Sequence, residues 1–159
     1  MLLTSLALAM LNLVSARTTR ELMFRAKYAS AQDKIQVVAS AFSGVSPLTS
    51  ESVDQVISVL GDINVTRLII TNAEGTALYD SSENQNAAGR RVILPAVVLA
   101  LEGNDVFHSA YQDAALLSYA AVPIMDRDTP AGCVYMMEYD AEQGNIIANL
   151  ERTILQGSL

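Results

Sequence analysis

Few side chains in this sequence could bind or transform a ligand. There is one histidine, His108, one cysteine, Cys133, and no tryptophan. His108 lies in Val106-Phe107-His108-Ser109-Ala110-Tyr111. Strand alternation groups it with Val106 and Ala110 on one face. A histidine there can exchange a hydrogen bond with a ligand or respond to pH, or it can be an ordinary half-buried strand residue. Arg90 and Arg91 follow Gly89. Guanidinium groups grip carboxylates or phosphates through paired hydrogen bonds. The alternative is a solvated pair that screens an acidic surface. Tyr119 and Tyr135 fall on neighbouring predicted strands. Their rings and hydroxyls suit a small polar ligand, or else core packing with the hydroxyls satisfied. Tyr79 and Tyr111 are weaker candidates of the same kind.

Other chemistries are excluded or unsupported. One histidine and one cysteine rule out a multi-histidine metal centre, a multi-cysteine zinc site and an internal disulfide. Asp126 and Asp128 share a turn, but a hard cation takes about six oxygen ligands, so no metal site is assigned. No G-x-S-x-G, Walker or G-x-G-x-x-G motif is present. No catalytic residue and no cofactor follow from the sequence. Met125, Met136 and Met137 read as core fillers, and Cys133 as a small buried hydrophobe. The net charge of −7 counts against nucleic acid as a partner.

The elements that must position these residues start with an apolar lead. Leu2 to Ala16 carries no charged side chain. As a helix it spans roughly 22 Å, short of the ~30 Å hydrocarbon layer. It reads as the end of a transmembrane helix, as a signal peptide, or as a buried helix of a soluble protein. Arg17 and Arg20 just beyond it weigh slightly toward a cytoplasmic downstream side. Residues 17–43 continue the helix, with Leu22, Ala26, Ala29, Ile35, Val38, Ala39 and Phe42 at three- and four-residue steps. The joined helix has about forty residues and is too long to be buried along its whole length. The alternative is two shorter helices that break near Ser15–Thr19.

A second helix starts at Thr49 or Ser50 and ends at Gly61. Arg67–Thr71 and Thr76–Asp80 read as a hairpin around Asn72-Ala73-Glu74-Gly75. Residues 81–91 form a polar surface loop, and a helix runs from Pro95 to Leu101. Strands follow at about 105–111, 116–125 and 131–139, and a closing helix at 141–155. The expected fold class is α+β, a five-stranded, mainly antiparallel sheet packed by helices. The expected division is an apolar lead, 1–16, and one domain, 17–159, with sheet and cover over 63–140.

This order resembles the extracytoplasmic single Cache (PDC-like, PAS-related) sensor domain of bacterial sensor histidine kinases. RLIITNAEGTALYDSS is similar to its first hairpin, GRRVILPAVVLALEGND to its covering loop and helix, and SYAAVPIMDRDTPAGCVYMMEYD to its paired strands. The resemblance covers nearly the whole chain. It implies a sensor on a membrane-bound kinase, with the sensing body outside the cytoplasm. It also implies a small-molecule ligand, flanking membrane segments, and a homodimer through the long helix. On it, Arg90, Arg91, His108, Tyr119 and Tyr135 are the expected ligand-binding residues. The chain has no phosphoacceptor helix and no ATP-binding domain, and the lack of Trp removes the amino-acid signature of some double Cache domains.

Two other readings remain at this stage. One is a ligand-free dimerisation module, in which Tyr119, Tyr135 and Met137 fill the sheet face. The other is a soluble PAS- or profilin-like adaptor, which requires Leu2–Ala16 to pack into the domain. Charge is divided along the chain. Residues 1–34 hold five basic and two acidic side chains, and residues 35–159 hold five and fifteen. A basic stem beside an apolar run fits a helix near anionic headgroups.

Overall fold

The computed structural model describes residues 2–84, 86–113 and 115–142. Its elements are α1 (Leu2–Ala41), α2 (Ser50–Leu60), β1 (Arg67–Asn72), β2 (Ala77–Asp80), α3 (Pro95–Leu101), β3 (Val106–Gln112), β4 (Ala115–Asp126) and β5 (Thr129–Asp140). The five strands form one antiparallel sheet in the order β2-β1-β5-β4-β3. The closing helix expected at 141–155 lies outside the described residues beyond 142.

The α1 helix is continuous through Ser15–Thr19. Thr18 and Thr19 donate their hydroxyls to the carbonyls of Val14 and Ser15, at 2.8 and 2.9 Å. Each threonine thus satisfies its polar group on the helix's own carbonyls, and the helix is not interrupted there. Residues 2–15 are exposed throughout, so the lead does not pack into the domain. Among the described residues, α1 is the one helix long and apolar enough to cross a membrane. Removing residues 2–15 is expected to move the melting temperature by no more than about 2 °C, because no buried contact is lost. Differential scanning calorimetry checks this, and a larger drop would show that the lead belongs to the core.

The other end of α1 is a packing helix. Ala31, Ile35, Val38 and Phe42 are buried, and they cover Leu68, Ile70, Ala120, Val122, Ile124, Val134 and Met136 on one sheet face. The α2 helix joins this layer through Val53. Thr49 caps α2: its hydroxyl accepts from the Ser52 amide, and Ser52 Oγ accepts from the Thr49 amide. Gly61 ends it.

The other sheet face lies under α3. Ile69, Ala121, Cys133 and Tyr135 pack there against Val97, Ala96 and Ala100. The residue assignments follow strand alternation. Met136 is a core residue and Met137 packs on the α3 side, but Met125 is 42% exposed. Met125 stands at a register shift beside the β4–β5 turn, where the alternation that would bury it breaks. Cys133 is fully buried, and burial pushes its thiol up to about 12.

Candidate functional site

The α3-facing side of the sheet brings three of the expected residues together. His108 on β3 pairs in register with Tyr119 on β4. Their rings stack at 5.1 Å between centroids, inclined by 29°. Tyr119 in turn stacks on Tyr135 of β5 at 6.2 Å and 27°. The row runs inward from the sheet edge: His108 is exposed, Tyr119 half-buried and Tyr135 buried. Burial raises the Tyr135 pKa, charge repulsion with the Tyr119 phenol adds to this, and the Arg67 charge offsets part of it. The Tyr135 hydroxyl therefore stays protonated near neutral pH, able to donate and accept.

Arg67 and Asp80 close the row on the β1–β2 side. Arg67 Nε and Nη2 donate to the two Asp80 oxygens at 3.1 and 2.7 Å. The backbone amides of Ser82 and Ala87 also donate to Asp80, at 3.0 and 2.8 Å. Burial opposes the charge on Asp80, but the Arg67 bond and the two amides outweigh it and hold its pKa below the usual value. The bond from Asp80 raises Arg67 in return. One carboxylate thus ties β1, β2 and the start of the 81–91 loop to one another. Further along, that loop is held by Gly89 N to Ala77 O, Ala77 N to Arg90 O and Val92 N to Gly75 O, each 2.8 Å.

Arg90 and Arg91 are exposed at the far end of this loop. Arg91 lines a separate recess of about 360 Å³, with the β1–β2 turn on one side and the outer surface of α3 on the other. The guanidinium that does stand near the tyrosine row is Arg67. Sequence reading passed over Arg67 and Asp80. The hairpin register held the clue: Ile69 pairs with Asp80, which sets Arg67 and Asp80 diagonally opposite on the same face. Tyr79 belongs to the other face, packed on the α1 side.

No protein-family model matches the chain, and no curated protein does. Solved structures do. An extracellular ligand binding receptor from Desulfohalobium retbaense superposes with a TM-score of 0.60 at 12% identity, over 89% of this chain and 27% of that one. The sensor domain of the histidine kinase DctB from V. cholerae superposes with a TM-score of 0.53 at 17% identity, over 83% of this chain and 58% of that one. The chain has a PAS/Cache-like fold. It spans about a quarter of the first of these chains and somewhat over half of the second.

The two faces of the sheet are covered differently. One face is sealed by α1 and α2 and holds the larger apolar core. The other is covered by the short α3 helix and by a loop tied to Asp80 and to the backbone of the β1–β2 hairpin. The second face carries the aromatic row, a histidine at its open end and an arginine–aspartate pair beside it. Such a surface can stack on a planar group and exchange hydrogen bonds with polar ones.

Proposed function

We propose that this chain is the extracytoplasmic sensing domain of a membrane-bound sensor histidine kinase. It binds a small molecule between the sheet and the 81–101 cover. The observation that carries the reading is the His108–Tyr119–Tyr135 row on the covered sheet face, with the Arg67–Asp80 pair beside it. The likeness of the fold to sensor and receptor domains supports it. The ligand would contact His108, Tyr119 and Tyr135, with Arg90 and Arg91 at the outer end of the covering loop. Binding would favour one arrangement of the cover over another, which is what a signal requires; affinity alone shifts nothing.

The signal would leave through α1. Its exposed, apolar first turns suit a membrane, and Leu22 and Val37 lie exposed along its length, as a helix facing a second copy of the chain requires. The test is a thermal-shift screen of small carboxylates, amines and neutral ring compounds. A ligand at one hundred times its dissociation constant stabilises by about 2.7 kcal/mol. At least one compound is expected to raise the melting temperature of the parent, and Tyr119→Ala is expected to lose most of that rise. An equal rise in Tyr119→Ala would place binding elsewhere. A screen with no hit would favour the ligand-free dimerisation module.

A further inference from the structure

On the α1 side of β5, directly behind the aromatic row, stands an ionic cluster that ligand contact does not explain. Glu138 is 7% exposed and lies between two lysines of α1. Lys27 Nζ is 2.6 Å from Glu138 Oε2, and Lys34 Nζ donates to Oε1. Lys27 also lies 3.6 Å from Asp140, and Lys34 reaches the Asn64 carbonyl at 3.4 Å. The two lysines sit two helical turns apart, with buried Ala31 between them on the same stripe. A carboxylate taken out of water holds its place only while its cations are present.

The position of this cluster matters more than its strength. Residues 17–22 of α1 are exposed, Lys27 is half-buried, and from Ala31 the helix buries Ile35, Val38 and Phe42. Lys27 therefore stands where the free stem becomes the packed helix. Tyr28 adds an edge-on ring contact with Phe107 of β3 at 4.4 Å. On β5, Tyr135 and Met137 face the cover while Met136 and Glu138 face α1. One short stretch of strand touches both layers.

We propose that Lys27, Lys34 and Glu138 form a clasp that turns any displacement of β5 into a displacement of α1, and so sets where the stem of that helix begins. What drives the strand rests on the proposed ligand face; the clasp itself does not. Acid should open it. Burial opposes the Glu138 charge, the two lysines outweigh it, and its pKa lies below the ordinary value. Its attraction is thus present at neutral pH and lost as pH falls through that lowered value. The charged and titratable groups around it are Lys27 and Lys34 from α1 and Asp140, Tyr139 and Glu142 on or just after β5, which border an open recess of about 480 Å³.

Amide hydrogen exchange on the full chain in detergent micelles tests this. Glu138→Gln is expected to speed exchange over residues 20–34 by about tenfold, the order of a lost charge-assisted bond, with the β1 amides unchanged. Unchanged α1 exchange in a folded variant would overturn the clasp. So would equal acceleration in α1 and β1, which would mark general loss of stability. The triple variant K27M/K34M/E138M covers the case in which Glu138→Gln does not fold. It is expected to keep α1 docked and to lose the fall in protection over 20–34, each rate taken relative to the intrinsic exchange rate at its pH, that is expected of the parent between pH 7 and about pH 3. The same acid response in both would overturn the proposal. Neither readout needs a ligand, so this proposal and the ligand face can fail separately.

Discussion

Gly132→Ala is expected to cost at least about 3 kcal/mol, the upper range for overpacking a tight site, and to prevent folding in a marginal background. A Cβ at this position would lie 2.1 Å from the Thr71 carbonyl oxygen and 3.0 Å from Leu48 Cδ1. The Leu48 side chain could turn away, but the carbonyl could not. Thr71 belongs to β1, and Gly132 is paired on both sides, with Asn72 of β1 and Ile124 of β4. Relief would mean pulling apart the two central strand pairs. The check is urea denaturation followed by circular dichroism, with the parent beside it. A variant that melts like the parent would show that β1 and β5 do not approach this closely.

Arg67→Ala is expected to cost about 3 kcal/mol, the lower end for removing one member of a buried ion pair. For a domain of this length that is a fall of roughly 6–12 °C. The Asp80 side chain is fully buried, while Arg67 keeps one-fifth of its side chain exposed. The two amides that remain on Asp80 keep the loss from being larger. The pH dependence gives a second reading. The folded pKa of Asp80 lies below its unfolded one, so its contribution is complete above the ordinary carboxylate range and disappears as pH falls through the folded value. In Arg67→Ala this acid loss of stability should shrink, because the main cause of the lowered value is gone. Denaturation at pH 7 and near pH 3 measures both effects. If Arg67→Ala matches the parent at both, the pair does not hold the cover.

Most of the fold was legible because its punctuation is strong. Thr49 and Gly61 bracket α2, Pro95 opens α3, and Asn72–Gly75 and Asp126–Thr129 mark two of the tight turns. Short connections make β1–β2, β3–β4 and β4–β5 antiparallel neighbours, while the β1–β5 pairing joins distant parts of the chain that no connection length indicates. The candidate site was legible where it depended on alternation. His108, Tyr119 and Tyr135 were placed on strands by periodicity, and register brought their side chains onto one face. Arg67 and Asp80 were missed because each looked like an ordinary charged strand end. Their significance comes from the hairpin register, which sets them side by side, and from burial of the carboxylate. Lys27 and Lys34 were read only as basic charge on a stem. That Glu138 meets them depends on how α1 crosses β5, and helical periodicity does not carry a crossing. Met125 was misplaced for a related reason: a one-residue register shift turned it outward.

The central claim is that the α3 side of the sheet receives the ligand. His108 is the only histidine in the chain, so its imidazole Cε1–H gives one isolated proton–carbon resonance at the open end of the aromatic row. The most direct measurement is that resonance during titration with a compound that raises the melting temperature. That resonance is expected to shift and saturate with the same dissociation constant that the thermal shift gives. A compound that stabilises the protein while the His108 resonance stays still would contradict it.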